Sequence, residues 1–245
     1  MTKQNILFNR KRYEKVIDWC EKNGVVPQIS KLRTGEQLQP GKGSYGFDVK
    51  RTGANIFGHT GLDRNDLFIP FGISICPVLD TMPRTGKKAL MSYARRASVA
   101  ADGFMTEDFE AFYNGKMFIR IDQTQANESF PCEMFKWIPE TQPIISMDAD
   151  GNPYAVGLQD QFDIENVMVP IVPAYLLQGT SDIRIDVDFY GVNADFSVAT
   201  KDNPTQANAN YVAHIDLIMI GVLVKGAADS SKINPLQIDK LYESL

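Results

Sequence analysis

Six residues near the N-terminus, Gly41–Gly46 with the sequence GKGSYG, have the glycine spacing of a nucleotide-binding loop. That chemistry needs a strand before the motif and a helix after it, because the N-terminus of the helix directs backbone N–H groups at phosphate. Here Gln39-Pro40 precedes the glycines and the residues FDVKR follow them. Neither flank fits, so we predict no dinucleotide site.

Residues that could bind a metal ion are scattered along the chain. The two histidines, His59 and His214, lie far apart, and neither has a cysteine or a second histidine within a few residues, as a zinc site would need. The segment Asp148–Asn152, DADGN, has its glycine in fourth place instead of sixth, and Gln159 stands where a calcium-binding EF-hand loop has glutamate. We predict a turn at Asp148–Asn152, and neither a metal site nor a cofactor in this chain.

Nucleophilic catalysis also lacks its usual sequence pattern. The chain has no G-x-S-x-G sequence, and two distant histidines do not define a Ser–His pair. Paired carboxylates stay open from the sequence alone, because 30 acidic residues always allow some pair to meet. We predict that the protein is not an enzyme, that it has no catalytic residues, and that it has no specific small-molecule substrate.

Two clusters of charged residues stand out instead. The alternating sequence Asp182–Tyr190, DIRIDVDFY, predicts a strand whose side chains point in turn to opposite faces. One of those faces carries Asp182, Arg184, Asp186 and Asp188. The segment 81–101 carries only basic charges, on Arg84, Lys87, Lys88, Arg95 and Arg96. The aspartate face is a solvated surface, a cation site or an acidic inter-subunit patch. The basic segment is either a solvated helix face or a contact with an acidic partner, which the aspartates of a neighbouring copy could provide.

Composition limits the partners. The chain has 245 residues, 44% of them hydrophobic, and its net charge of −5 argues against general nucleic-acid binding, which needs a basic surface. Three widely spaced cysteines, Cys20, Cys76 and Cys132, predict free thiols in a reducing cytoplasm. We find neither the apolar core of a signal peptide nor an apolar run that would span a bilayer. We therefore expect a globular protein made in the cytoplasm.

Both ends of the chain are predicted to be helical. Residues 9–24 form an amphipathic helix, whose apolar face carries Tyr13, Val16, Ile17 and Cys20. The tail forms a short helix after Asn234-Pro235, with an apolar stripe of Ile238, Leu241 and Leu245. These two stripes dock on this chain or on a neighbouring one. The basic first turn, Arg10–Arg12, is either a solvated helix end or an arm that contacts an acidic neighbour, the genome or a lipid headgroup.

The centre of the chain is predicted to be β-structure. Residues 25–65 show little periodicity, so we expect an arm or loop with at most one short strand at 45–51. A strand follows at Leu67–Val78, in which Pro70 marks an edge or a bulge, and an Ala-rich helix is inserted at 87–101. The remaining predicted strands are Phe109–Asp122 with a hairpin turn at Asn114-Gly115, Cys132–Ile138, Ile144–Met147, Phe162–Val169, Ala174–Leu177, Asp182–Tyr190 and Tyr211–Lys225. The last contains IDLIMIGVLVK, a run typical of a strand buried on both faces.

The order of these features resembles that of jelly-roll structural proteins of bacteriophage virions, in particular the capsid proteins of small tailless, lipid-containing icosahedral phages. The resemblance covers residues 66–226 and lies in the segments FIPFGISI, FEAFYNGKMFIRI, FPCEMFKWIP, ENVMVPIVPAYLLQGTSDIRIDVDFYG and HIDLIMIGVLVKG. It implies an all-β fold, an eight-stranded jelly-roll sandwich with an N-terminal helical arm, one inserted helix and a short C-terminal helix. Those capsid proteins often carry two stacked jelly rolls, so two minimal barrels are the alternative.

The resemblance also implies an organisation and a function. The chain divides into a helix and extended arm at 1–65, the jelly roll at 66–226 and a tail at 227–245. A virion structural protein is implied, made in the host cytoplasm, that self-associates into trimers or higher oligomers and builds or decorates an icosahedral capsid. Its partners would be copies of itself and other capsid proteins, with an internal membrane or the genome reached through the basic N-terminal segment. The alternative function is a carbohydrate- or receptor-binding module, in which Tyr113, Trp137 and Tyr154 stack on sugar rings.

Overall fold

The computed structural model describes residues 10–39, 41–50, 60–80, 88–90, 103–104, 112–122, 124–125, 129–136, 141–147, 153–160, 168–171, 175–189, 198–199, 212–228, 238 and 241. In chain order the elements are α1 (Arg10–Asn23), β1 (Pro27–Gln37), β2 (Ser44–Asp48), β3 (Leu67–Asp80), β4 (Lys88–Leu90), β5 (Gly103–Phe104), β6 (Lys116–Ile121), β7 (Thr124–Gln125), β8 (Phe130–Pro131), a 3₁₀ helix (Cys132–Phe135), β9 (Thr141–Met147), β10 (Pro153–Asp160), β11 (Val169–Pro170), β12 (Leu177–Gln178), β13 (Ile183–Asp188), β14 (Val198–Ala199) and β15 (Val212–Val224). The paired strands are antiparallel, which confirms the predicted all-β class.

The first main sheet is built around β15, and we call it the β15 sheet. β15 pairs with β1 on one side and with β3 on the other, in each case over almost the whole strand. The opposite edge of β3 pairs in turn with β12, β11 and β4. The apolar run of β15 explains this central place, because consecutive residues such as Leu217, Ile218 and Met219 are buried on both faces of the sheet.

The second main sheet, the β13 sheet, is built around the alternating strand. β13 lies between β2 and β6, and the far edge of β6 pairs with β8 and β7. Alternation places Ile183, Ile185 and Val187 on the inner face, as the sequence predicts. Two smaller sheets, β9 with β10 and β5 with β14, are formed by connecting segments.

The inner faces of the two main sheets share one hydrophobic core. Tyr45 and Phe47 of β2, Phe68 of β3 and Leu217 of β15 are all buried in it. Phe112 and Phe189 belong to the same core, with ring centroids 5.1 Å apart. Removing this apolar surface from water is the main force that holds the two sheets together.

A second, smaller core covers the outer face of the β15 sheet. Val16, Trp19 and Cys20 of α1 pack there against side chains of β3 and β15, namely Leu67, Ile69, Phe71, Val222 and Val224. α1 confirms the helix predicted at 9–24, and Gly24 follows it with a φ of 65°, a conformation that glycine adopts without strain. The N-terminal helix is therefore a packed layer of the molecule.

The N-terminal third differs most from the prediction. The expectation that residues 25–65 hold at most one short strand is wrong, because β1 and β2 both lie there. β1 pairs with β15 over 11 residues, and β2 pairs with β13. The sequence of β1, PQISKLRTGEQ, buries only Leu32 deeply, so the hydrogen-bonded partner fixes this strand more than its own apolar pattern does.

Four smaller predictions also change. Lys88–Leu90 is strand β4, so the inserted helix predicted at 87–101 is wrong there, and the rest of it lies outside the described residues. Phe112 and Tyr113 form a helical turn before β6, which excludes the hairpin at Asn114-Gly115. The strand predicted at Cys132–Ile138 begins as a 3₁₀ helix. Pro70 lies at a bulge, as predicted, but in a central strand instead of an edge strand.

The three cysteines are free and buried, as the sequence predicts. Burial raises the pKa of the Cys20 thiol to about 11 and those of the Cys76 and Cys132 thiols to about 12.

At pH 8 we therefore expect no fast reaction of the folded protein with a thiol reagent such as DTNB, because the protonated thiol is a poor nucleophile. Unfolding in denaturant should release all three thiols, and a fast-reacting thiol in the folded state would contradict this arrangement.

Candidate interaction surfaces

The outer face of the β13 sheet carries mixed charges. The core-facing residues of its strands alternate with outward ones, so the register between strands defines which outward residues are neighbours. The outward residues are Ser44, Gly46 and Asp48 on β2, Arg184, Asp186 and Asp188 on β13, and Lys116, Phe118 and Arg120 on β6. The predicted charged face of β13 is therefore confirmed, and it is flanked by charges on both neighbouring strands.

Asp186 is the buried centre of this face. Its side chain is only 8% exposed, while those of Arg184 and Arg120 are 62% and 50% exposed. Arg184 Nε donates a hydrogen bond of 2.7 Å to Asp186 Oδ1, and Arg120 Nη1 lies 3.3 Å from Asp186 Oδ2. A buried carboxylate is stable only when cations compensate it, so Asp186 holds the two guanidinium groups in place.

Gly46 makes room for this arrangement. It lies opposite Asp186 on β2, and a Cβ atom at this position would be 2.8 Å from Arg184 Nη2 and 2.9 Å from Arg184 Nε. The same atom would be 3.1 Å from Asp186 Oδ1. The guanidinium of Arg184 therefore lies directly over the glycine backbone, and any larger residue at position 46 would displace it.

The other two aspartates of β13 differ from Asp186. Asp188 is half-buried and accepts a hydrogen bond of 2.6 Å from the Ser44 hydroxyl. Asp182 is exposed, and its backbone N–H donates a 2.7 Å hydrogen bond to Oδ1 of Asp122, which is also exposed. Of the three aspartates predicted as contact residues, Asp186 is buried in an ion pair, Asp188 is half-buried and Asp182 is exposed.

The predicted basic partner of these aspartates is mostly outside the described residues. Arg84, Lys87, Arg95 and Arg96 fall there, and of Lys88 only the backbone is described, as the first residue of β4. β4 lies on the edge of β3, in the β15 sheet, whereas the aspartates lie on the β13 sheet. The pairing of these two sets between copies stays a prediction.

The two predicted helical stripes meet on this chain. Ile238 and Leu241 have helical backbone and lie in the same buried cluster as Val16, with Tyr13 packed against its side. Ile17 is half-buried, and Leu245 lies outside the described residues. Tail and N-terminal helix therefore cover the β15 sheet together.

The basic first turn of α1 is partly used within the fold. Arg12 Nη1 donates a 3.0 Å hydrogen bond to the carbonyl oxygen of Ile171, and partial burial lowers the pKa of Arg12. Lys11 is exposed. Arg12 is therefore engaged within the fold and is less available for the predicted contact of this turn with a genome or a lipid headgroup.

A buried ion pair on the outer face of the β15 sheet was not predicted from the sequence. Arg33 Nε of β1 donates a 2.6 Å hydrogen bond to Oδ2 of Asp216 in β15, and Arg33 Nη2 contacts the same oxygen. The Asp216 side chain is 2% exposed. Nearby, burial and the charge of Arg33 lower the pKa of Lys31. Asp216 is the polar interruption of the run IDLIMIGVLVK, and that interruption was the available signal.

Of the three aromatic residues in the sugar-binding alternative, Tyr113 is the one whose side chain the structure describes. Tyr113 is 2% exposed and belongs to the main core, where its ring meets that of Phe112 edge-on at 4.9 Å. The side chains of Trp137 and Tyr154 lie outside the described set. Tyr113 therefore does not present a face on which a sugar ring could stack.

The part of the chain that the structure describes contains neither a metal-binding cluster nor a membrane-spanning helix. Among these residues no group of three or more His, Cys, Asp or Glu side chains is placed to hold a metal ion. None of the helices in this part of the chain has the length and apolarity needed to cross a bilayer. His214 is buried, with 8% exposure, and His59 lies outside the described residues.

Comparisons of the sequence and the structure with known proteins identify no relative: no protein-family model, no curated protein and no solved structure matches this chain.

Proposed function

We propose that this chain is a virion structural protein, a single jelly roll that self-associates to build or decorate an icosahedral phage capsid. The observation that carries the proposal is the order of strands in the two main sheets, β1-β15-β3-β11 and β2-β13-β6-β7. β12 shares the edge position of β11, and β8 shares that of β7. The three-residue strand β4 pairs with the same edge of β3 and is counted with the connection from β3 to β6. Counting each shared edge as one position, the two sheets contain eight strand positions.

That order supports the jelly-roll proposal, because it is the order that such a winding produces. Numbered in chain order, the eight positions are β1, β2, β3, β6, β7 with β8, β11 with β12, β13 and β15. In one sheet the positions then follow the order 1-8-3-6, and in the other they follow the order 2-7-4-5. Such an order results when a long antiparallel hairpin rolls into two Greek keys. One roll uses the chain from Pro27 to Val224, which favours a single barrel over two stacked ones.

The connections add a second line of support. The long ones run from β3 to β6, from β8 to β11 and from β13 to β15, and they contain β4, β5, β9, β10 and β14. They leave from one end of the sandwich, because Asp80 pairs with Val212 and Lys116 pairs with both Asp188 and Pro131. Elaborate loops on one end of a rigid sandwich are the usual place for contacts between molecules.

Jelly rolls serve as capsid proteins, lectins and enzymes, so the surface must distinguish between these functions. The outer face of the β13 sheet presents two half-exposed arginines fixed by a buried carboxylate, beside exposed carboxylates. At the start of β1, Val26 and Ile29 are 78% and 56% exposed. Fixed charges and exposed apolar side chains are features of protein–protein contact surfaces. They support copies of this chain, and other capsid proteins, as the partners.

The test is whether the purified protein assembles. Light scattering coupled to size-exclusion chromatography should give a mass that rises above 27.4 kDa with concentration, and negative-stain electron microscopy should show rings or shells. Recovery of the chain as an abundant component of purified virus particles would support the virion location. A protein that stays monomeric at all concentrations and binds defined sugars on a glycan array would contradict the proposal and favour the carbohydrate-binding alternative.

A further inference from the structure

A pair of acidic residues lies next to the pair of arginines on the β13 sheet. Arg120 and Arg184 are directly opposite each other in the β6–β13 ladder. Two residues farther along the same strands, Asp122 and Asp182 adjoin, and the Asp122 N–H donates a 2.8 Å hydrogen bond to the Asp182 carbonyl oxygen. Asp182 lies about 7 Å from Arg184 along the extended chain. Asp122, whose φ is 49°, follows β6 in a turn, and its carboxylate is held beside Asp182 by the hydrogen bond that it accepts from the Asp182 N–H. The acidic pair therefore lies next to the arginine pair at the end of the β6–β13 ladder.

Both pairs keep capacity for an external partner. Like charges directly opposite on neighbouring strands repel, and Asp186 offsets only one of the two arginine charges. Asp48, opposite Arg184 on β2, accepts the backbone N–H of Lys50 and forms no ion pair within the described residues. In the same part of the structure neither Asp122 nor Asp182 forms an ion pair with either arginine.

We propose that this face is a two-fold contact between copies of the chain. A two-fold axis that runs across the strands between the two pairs, parallel to the face, places Arg120 of one copy over Asp122 of the other and Arg184 over Asp182, and the reverse. Each copy then supplies both halves of the contact, which is the requirement for an isologous interface. The inference rests on the proposed self-association and assigns one of its contact surfaces.

The charges of the face favour a protein carboxylate over phosphate as the ligand of the arginines. Guanidinium groups bind both anions well. A nucleic acid or an anionic membrane, however, presents many phosphates at once, and the exposed Asp48, Asp122 and Asp182 around the arginines would repel them. A copy of the same face supplies single carboxylates where the arginines lie and arginines where the carboxylates lie.

Charge reversal on each half tests the contact. Asp182→Lys puts a cation opposite the arginines of the partner, and it leaves the hydrogen bond to Asp122 intact because that bond uses the backbone N–H of residue 182. Arg184→Glu puts a carboxylate opposite Asp182 of the other copy. In sedimentation velocity, each variant alone should dissociate at a concentration at least about tenfold higher than the wild type.

An equimolar mixture of the two variants is the decisive sample. The cation introduced by Asp182→Lys in one copy then faces the carboxylate introduced by Arg184→Glu in the other, while the unchanged arginines and aspartates meet in the second half of the contact. Association should therefore return to within about threefold of the wild type. The matched controls are Asp18→Lys and Lys22→Glu, which reverse charges at exposed positions of α1 and should have no effect. Because Arg184 contacts buried Asp186, Arg184→Gln serves as a milder variant if Arg184→Glu unfolds.

Three outcomes would overturn the inference. Variants that associate like the wild type would show that another surface joins the copies, and they would leave the proposed capsid function standing. Two weakened variants whose mixture stays dissociated would exclude the two-fold arrangement. A wild-type protein that is monomeric under all conditions would remove the proposed function itself, and the inference with it.

Discussion

Replacing Gly221 with alanine is expected to lower the free energy of unfolding by at least about 3 kcal/mol. Gly221 pairs with Pro70 at the bulge between β15 and β3, the two longest strands of the β15 sheet. A Cβ atom there would lie 2.1 Å from the Ile69 carbonyl oxygen and 2.8 Å from Pro70 Cα. Both are backbone atoms of a central strand, so relief of the clash requires the two strands to separate locally. Urea unfolding monitored by Trp19 fluorescence measures the loss.

Gly43→Ala is the matched control for this prediction. A Cβ atom at Gly43 meets only the Phe189 carbonyl oxygen at 3.6 Å, an ordinary van der Waals contact. We expect its free energy of unfolding to stay within about 1 kcal/mol of the wild-type value. Equal stability of Gly221→Ala and Gly43→Ala would mean that β3 and β15 do not approach each other as described.

Removing Asp216 is expected to destabilise the fold by about 3 kcal/mol, the second large effect. In Asp216→Ala the guanidinium of Arg33, on the edge strand β1, loses the carboxylate that accepts its Nε hydrogen bond. Lys31, on the same strand and face, adds a second positive charge close by. A cation whose side chain is only 20% exposed therefore remains without the carboxylate that compensates it.

A double variant separates the charge effect from packing. Arg33→Met combined with Asp216→Leu removes both charges and keeps apolar volume, so it should lose less stability than Asp216→Ala alone. Asp182→Ala, which removes an exposed carboxylate, should change the free energy of unfolding by less than about 0.5 kcal/mol. A double variant as unstable as the single one would show that packing at Asp216 matters more than its charge.

The sequence predicted only part of the candidate contact surface. Period-two alternation in DIRIDVDFY predicted correctly that Asp182, Arg184, Asp186 and Asp188 share a face. It did not distinguish exposed Asp182 from buried Asp186, because burial here results from Arg184 and from Arg120 on a neighbouring strand. Arg120 and Asp122 belong to the surface because the β6–β13 register places them beside Arg184 and Asp182. No local sequence pattern specifies that register.

The long apolar run, the alternating strand and the amphipathic helix were determined by the sequence itself, because each is a local pattern with the period of its own secondary structure. They established the all-β class, β13, β15 and α1. Only the tertiary structure decided that PQISKLRTGEQ is a strand and that Arg33 meets Asp216, 183 residues away along the chain. Those features depend on pairing between distant segments. The contacts that stabilise such pairs form only when the two sheets assemble, so no local pattern in the sequence indicates them.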